Sequence, residues 1–180
     1  MKKTVYHYSI IGYSPIVLVP HYGIFGNETI METIVVSLDF LEFPEEYTCL
    51  GGNKSPALHL KGLDAESVAI WVTNPFIRSC CSFTPWLIWN LPPLKTIPGG
   101  IPPGADVSIP VSCRQGINGY NTVGYTGPCP PPGETHRYQF RVYGLDAILA
   151  LEGGASRSAL VEAMKGHVTQ FGETVGICSR

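Results

Sequence analysis

The chain has 180 residues, a length typical of one domain, and its 20 glycines and 16 prolines favour turns and short strands over long helices. Its formal net charge is −2, and Lys2-Lys3 is the only pair of adjacent basic residues. A sequence without a basic patch argues against nucleic-acid binding and against electrostatic attachment to an anionic membrane. The charge pattern does not exclude a small anionic ligand, because one binding site needs only a few hydrogen-bond donors.

The amino-terminal part is interpreted as an addition to the domain. Residues 1–30 carry two early lysines and then apolar residues that are interrupted by prolines and histidines. No apolar stretch approaches the roughly 18 residues that a membrane span needs, and no clear signal-peptide cleavage site is present. We therefore expect no membrane span, an extension at residues 1–30 and a domain at residues 31–180.

Six cysteines are spread over the chain: Cys49, Cys80, Cys81, Cys113, Cys129 and Cys178. None forms a C-x-x-C pair, and the cysteines and histidines do not have the spacing of a zinc site. We therefore predict no metal and no cofactor. Because disulfides are rare in the cytosol, we also predict reduced thiols in a cytoplasmic protein.

Several short segments alternate apolar and polar residues, or are apolar throughout, as strands do. They are 33–40, 67–74, 86–91 and 107–113. In the first, Ile34 and Val36 begin an apolar face that continues to Phe40. The third is apolar on both faces, which predicts a central strand. The fourth contains Pro110, which is tolerated at the edge of a sheet.

The segment TGPCPPPGETHRYQF, residues 126–140, is a stiff loop that leads into a further strand. His136 and Tyr138 begin its apolar face, and Phe140 and Val142 continue it. His136 is therefore expected where the strand leaves the loop, neither deep in the core nor fully exposed.

A single helix is predicted near the carboxyl end, at about 156–165. Ser156 or Ser158 can cap its first turn, and Leu160, Ala163 and Met164 form an apolar stripe. Gly166 suits the position that follows a helix. Many strands and one late helix indicate a mainly β domain.

The candidate chemistry centres on His136. A thiol hydrolase would use Cys129 with His136, but Cys129 stands between two prolines rather than at a helix N-terminus or beside a cation. An anion pocket fits better, because His136 and Tyr138 offer donors on one face and Gly127 lets backbone amides approach a ligand. The alternative is that His136 binds no ligand and is a hydrogen-bonded histidine with a structural role at the end of its strand.

Four segments carry a resemblance to a known family: EFPEEYTCLGGNKSPAL, TPWLIWNLP, GINGYNTVGYTGPCPPPGETHRYQFRVYGLD and GHVTQFGETVGICSR. From Met31 onward the chain resembles the phosphatidylethanolamine-binding proteins, also called Raf kinase inhibitor proteins. It is most similar to their bacterial and archaeal YbhB/YbcL-like branch. The resemblance implies an antiparallel β-sandwich with a short carboxy-terminal helix near a ligand pocket.

The resemblance also implies a set of ligand-binding residues. They are His136, Tyr138, Tyr125, Gly127, Pro128, Asn74, Pro85 and Trp86. The chain departs from the family where D-P-D-A-P becomes Asn74-Pro75-Phe76-Ile77-Arg78 and T-H-W becomes Thr84-Pro85-Trp86. Two carboxylates and one histidine are thereby lost, and Arg78 is a candidate for the missing positive charge. Gly119 replaces a common aspartate and Cys178 a common tyrosine.

We therefore expect a non-enzymatic binding protein with a modified pocket for a phosphate-type anion or a phospholipid head group. One alternative is a kinase or protease inhibitor that acts by protein–protein binding, and a second is a small-molecule hydrolase. A homodimer is left open.

Overall fold

The computed structural model describes residues 32–75 and 83–180. Predictions that concern residues 1–30 as an extension, or the charge of Arg78, lie outside the described residues. The described chain forms ten strands and one α-helix: β1 Glu32–Thr33, β2 Val35–Ser37, β3 Leu58–Lys61, β4 Ser67–Asn74, β5 Phe83–Leu91, β6 Thr96–Ile97, β7 Asp106–Val107, β8 Cys113–Gln115, β9 Thr135–Leu145, α1 Arg157–Met164 and β10 Val168–Ser179. A short 3₁₀ turn spans Glu45–Tyr47.

The strands form two sheets, and the predicted β-sandwich is confirmed. Seven strands lie in the order β1-β10-β9-β4-β5-β8-β7, and three lie in the order β2-β3-β6. All neighbours are antiparallel except β1 and β10, which run parallel. No helix of the described ranges is long and apolar enough to cross a membrane.

The seven-stranded sheet is covered on both faces, which explains why its central strands are apolar throughout. On β4, Val68, Ile70 and Val72 pack into the core between the two sheets. Ala69 and Trp71 point the other way, into a second core that Leu160 and Met164 of α1 complete. A strand that is buried on both sides reads as a continuous apolar run.

The predicted strand at 33–40 is wrong in its extent, because the chain crosses from one sheet to the other. β1 pairs with β10 of the large sheet, whereas β2 pairs with β3 of the small sheet. Ile34 lies between them, and its amide donates to the carbonyl of Phe171 at 2.9 Å. Ile34 and Val36 are buried as expected, and strand pairing ends at Ser37.

The predicted edge strand at 107–113 is also wrong in its extent. Strand pairing stops at Val107 and resumes at Cys113, and β7 and β8 pair with each other as a hairpin. The intervening residues, including Ile109 and Pro110, form its connection. The alternation of apolar residues therefore reflected a loop whose Val111 reaches the core.

The helix forms where the sequence predicts it. The Ala159 amide donates to the Ser156 hydroxyl at 3.3 Å, so that Ser156 is the N-cap. Leu160 and Met164 are buried, and Gly166 follows the helix with a φ of 79°, the left-handed conformation that glycine adopts most easily.

The longest strand, β10, was missed. Its inward positions include Gln170, Gly172, Gly176 and Cys178, so its buried face carries little of the apolar signal that marks a strand. The glycines are required by space. A Cβ on Gly176 would lie 2.4 Å from Phe43 Cε2, and one on Gly172 would lie 2.1 Å from the carbonyl oxygen of Ile34.

The prediction of reduced thiols is wrong for two cysteines, because Cys49 and Cys129 form a disulfide. The bond joins positions 80 residues apart in the sequence. Spacing along the chain gave no sign of this pairing, because only the fold brings the two loops together. Cys113 and Cys178 are free and buried.

Candidate functional site

One end of the large sheet gathers the polar residues that the sequence marked. Cys178 on β10 is opposite His136 on β9, and Gln139 is opposite Thr73 on β4. Because neighbouring residues of a strand point to opposite faces, Asn74, Tyr138, His136 and Cys178 share the face that points toward the small sheet. The end of the sheet therefore places a histidine, an amide and a phenol side by side.

His136 is held by partners at both ring nitrogens. Asn74 Nδ2 lies 3.0 Å from Nδ1, and Glu134 Oε2 lies 2.6 Å from Nε2. The Asn74 amide can donate to Nδ1, and an Nε2–H group can then donate to the Glu134 carboxylate. Only 8% of His136 is exposed. Asn74 thus contacts His136, and Glu134 is a further partner of the histidine that the sequence analysis did not name.

Tyr138 lies in the core beside the histidine and supplies a neutral hydroxyl. Burial raises its pKa to about 12, against opposing hydrogen bonds from the Cys129 backbone and the Asn74 side chain. Its ring meets Phe43 edge-on, with a centroid distance of 5.8 Å. At neutral pH Tyr138 is therefore a hydrogen-bonding group rather than a base.

The proline loop is packed tightly against the segment around Tyr47. The Tyr125 hydroxyl donates to the carbonyl of Tyr47, and the Gly127 amide donates to Asn53 Oδ1, both at 2.8 Å. A Cβ on Gly127 would lie 2.4 Å from the carbonyl oxygen of Tyr47. Gly127 is thus needed for this close approach, and its amide is already used within the protein. The Cys49 amide donates to the carbonyl of Pro128 at 3.1 Å.

Asn118 organises the loop before these residues, and the sequence analysis did not single it out. It is buried; its amide donates to the carbonyl of Gly124 and to the Thr126 hydroxyl, and its Oδ1 accepts from the amides of Tyr120 and Thr122. An asparagine between glycines in a loop is a recognisable signal for such local bonds. Through them Asn118 positions Tyr125 and Gly127.

The replaced family positions are packed by other groups. Trp86 is fully buried and donates to Gln115 Oε1 at 2.8 Å, while the carbonyl of Pro85 accepts from the Thr126 amide at 3.1 Å. A Cβ on Gly119 would lie 2.5 Å from Phe83 Cε2. The Phe83 ring therefore occupies the space that an aspartate side chain at position 119 would need.

A cleft of about 200 Å³ opens beside this polar cluster. Its lining includes Phe43, Cys178, the disulfide, Pro130 and Arg180. Of the predicted ligand-binding residues, Pro128 alone is part of this lining. Arg180 Nη1 lies 3.8 Å from Cys129 Sγ. Because Cys178 is opposite His136, the cleft and the histidine are neighbours on the same face of the sheet.

Cys129 is bonded to Cys49, so it presents no thiolate to a substrate. Cys178 is the free thiol beside the cleft, and burial raises its pKa. The disulfide at Cys129 and the raised pKa of Cys178 both disfavour the thiolate that a nucleophilic reaction would need. The arrangement offers hydrogen-bonding groups and one carboxylate, which suits the recognition of a ligand.

Comparison with known proteins matches this arrangement to a family. The family described as phosphatidylethanolamine-binding protein matches residues 36–179. The chain belongs to this family. A UPF0098 protein of Pyrococcus abyssi is 43% identical over 159 residues, which cover 86% of this chain and 88% of the relative. A UPF0098 protein of Pyrococcus horikoshii is 45% identical over 140 residues, covering 76% and 70%.

Solved structures of the phosphatidylethanolamine-binding protein family have the same fold. A homologue from Chlamydia trachomatis superposes with a TM-score of 0.70 at 28% identity, covering 83% of this chain and 99% of that one. YbcL of E. coli superposes with a TM-score of 0.72 at 22% identity, covering 82% and 98%. Family membership supports a binding function and leaves its specificity open.

Proposed function

We propose that the protein binds a small ligand of the phospholipid-head-group type at His136 and does not transform it. The observation that carries the proposal is the pair of contacts at His136, where Asn74 and Glu134 hold the ring next to an open cleft. Cys178, which is opposite His136 on the neighbouring strand, lines that cleft, and a concave surface beside convergent polar groups is a common element of a ligand site.

The chemistry of the surrounding groups supports binding without turnover. Tyr138 is protonated at neutral pH because burial raises its pKa to about 12, and Cys129 is held in a disulfide. The hydrolase alternative would therefore have to rely on His136 without a neighbouring thiolate. Inhibition of a kinase or protease, self-association into a homodimer and a cytoplasmic location stay predictions from the sequence. The cytoplasmic location was predicted from reduced thiols, and the disulfide between Cys49 and Cys129 removes that argument for these two residues.

A thermal-shift titration with phosphoethanolamine tests the proposal. Ligand at about 100 times Kd stabilises a protein by about 2.7 kcal/mol, which corresponds to roughly 5–10 °C for a domain of this size. We expect this shift in the wild type and its loss in His136→Ala. His167→Ala is the matched control, because His167 also pairs with a carboxylate, Asp146 Oδ1 at 2.8 Å, and belongs to the loop after α1.

The proposal fails if phosphoethanolamine produces no shift in the wild type, or the same shift in His136→Ala. Incubation with phosphoesters and carboxylic esters, followed by product detection, tests the hydrolase alternative in parallel. Turnover that persists in purified wild type and disappears in His136→Ala would favour an enzyme instead.

A further inference from the structure

The Cys49–Cys129 disulfide forms part of the surface of the cleft. Both cysteines are half-exposed, and both belong to the lining of this space of about 200 Å³. Pockets for drug-sized molecules are usually larger, roughly 300–1,000 Å³, so the cleft suits a smaller molecule. A thiolate breaks a disulfide by attacking one of its sulfurs, and the rate depends on access to that sulfur. A small thiol can therefore reach this bond in the folded protein.

Arg180 makes the two sulfurs chemically unequal. Its Nη1 lies 3.8 Å from Cys129 Sγ, and among the described residues this guanidinium contacts the sulfur of Cys129 rather than that of Cys49. Its backbone is fixed to the loop before β9, since its amide donates to the carbonyl of Glu134 at 3.1 Å and its carbonyl accepts from the amide of Gly133. A cation beside a sulfur stabilises the thiolate, and a more stable thiolate leaves a disulfide faster. Cys129 is therefore the better leaving group, and Cys49 is the sulfur that a thiol attacks.

The two loops that carry the disulfide are also joined by hydrogen bonds. The Cys49 amide donates to the carbonyl of Pro128 at 3.1 Å, and the Gly127 amide donates to Asn53 Oδ1 at 2.8 Å. Neither hydrogen bond involves a sulfur atom, so both can persist when the S–S bond is broken. The Cys129 thiolate then stays close to the modified Cys49, and a reaction between groups that are held together is strongly favoured. Reclosure of the native bond is therefore expected to be efficient.

We propose that the Cys49–Cys129 disulfide is a site of reversible modification by low-molecular-weight thiols. The incoming thiolate forms a new S–S bond with Cys49 Sγ, the Cys49–Cys129 bond breaks, and its electron pair leaves on Cys129 Sγ beside Arg180. One disulfide replaces another, so no separate oxidant or reductant is consumed. Attack of the Cys129 thiolate on the Cys49 adduct restores the native bond and releases the thiol. The exchange does not depend on ligand binding at His136.

Three variants separate the charge of Arg180 from its other contacts. Arg180→Gln removes the positive charge, whereas Arg180→Lys keeps it. Arg137→Gln is the matched control, because Arg137 is also an exposed arginine but lies on β9 with its side chain on the opposite face of the sheet from His136. Arg180 is exposed, and its backbone hydrogen bonds are available to any residue, so the variants are expected to fold.

Exchange of the folded, full-length protein with 2-mercaptoethanol measures the reaction. The thiol is added without oxygen at mildly alkaline pH, where part of it is thiolate. Samples taken over time are quenched with acid, and peptide mapping by mass spectrometry locates the adduct. In the wild type, Arg180→Lys and Arg137→Gln, we expect the adduct on Cys49 to exceed that on Cys129 by about threefold or more. Arg180→Gln should react about threefold more slowly or less and lose this preference.

Removal of the thiol by gel filtration tests reversibility. The adduct should disappear as the Cys129 thiolate restores the native disulfide, and the released 2-mercaptoethanol is measured in the filtrate. The inference is overturned if the folded wild type forms no Cys49 adduct, if the adduct is mainly on Cys129, or if it persists after the thiol is removed. It is also overturned if Arg180→Gln keeps the wild-type rate and the wild-type preference for Cys49.

Discussion

His136 shows how much of a site a single residue can indicate and how much depends on its neighbours. The alternation of the strand places it on the inward face, and the proline loop places it at the strand's beginning. Its two partners lie at different separations along the sequence: Asn74 is 62 positions from His136, whereas Glu134 is two positions from it. Glu134 lies just before β9, so the alternation of the strand does not place its side chain, and only the structure shows its contact with His136.

Tyr138 yields a prediction about stability at high pH. Burial raises its pKa from 10.0 to about 12, so folding favours the protonated phenol. This contribution is fully present below about pH 10 and is lost as the pH rises toward 12. We expect the midpoint of urea unfolding to fall across that range, and to fall less in Tyr138→Phe, which cannot ionise.

Two other tyrosines remain: partly buried Tyr143, whose pKa is raised to about 12 by burial, and buried Tyr125, whose pKa burial also raises. The fall in Tyr138→Phe should therefore be reduced rather than abolished. Below pH 9 the variant should be less stable than the wild type by about 1 kcal/mol, because a buried hydroxyl and its hydrogen bonds are lost. An identical decline of both proteins between pH 10 and 12 would contradict the assignment.

The element that most limits prediction from the sequence is β10. It pairs along nearly its whole length with β9 and also carries β1, yet glycines occupy two of its buried positions. The strand is stabilised by its neighbours' side chains, such as the Phe43 ring that fills the space over Gly176. A pattern of apolar residues cannot report a strand whose core contacts are made by other elements.

Gly172→Ala tests this explanation. The new Cβ would lie 2.1 Å from the Ile34 carbonyl oxygen and 2.9 Å from Val36 Cγ2, so the crossover between β1 and β2 would have to move away from β10. Because backbone cannot yield as a flexible side chain does, we expect a loss of about 3 kcal/mol or more in the free energy of unfolding. Chemical denaturation measures it.

Thr174→Ala is the matched control on the same strand, because Thr174 is partly exposed. We expect it to cost no more than about 1 kcal/mol. Equal losses in the two variants would mean that β10 is sensitive to any substitution and that the close approach of Ile34 is unimportant.

At the scale of the whole molecule, the disulfide connects the two loops that bound the cleft. Cys49 follows the 3₁₀ turn and Cys129 lies in the proline loop, at a sequence separation of 80. A cross-link over so long a segment restricts the unfolded chain. It also fixes the loop whose Cys129 backbone meets Tyr138, so the stability of the fold and the shape of the site are connected.

Replacing both cysteines by serine should therefore destabilise the protein by roughly 2–5 kcal/mol. The melting temperature measures the loss, and a reductant provides the control. Dithiothreitol should lower the melting temperature of the wild type toward that of Cys49→Ser/Cys129→Ser, and should leave the double variant unchanged. A reductant effect of equal size in both proteins would assign it to other cysteines.

The sequence by itself determined the class of the fold, the helix near 156–165, the strand whose apolar face begins at His136 and the family, because each of these depends on periodicity or on a contiguous motif. It did not determine the crossover at Ile34, the pairing of Cys49 with Cys129 or the use of the Gly127 amide by Asn53. Those features depend on which distant segments meet. Only the tertiary structure showed that the donors near His136 already have partners within the protein. The hydrogen-bonding groups that a side chain can offer to a ligand are known only once its neighbours are known.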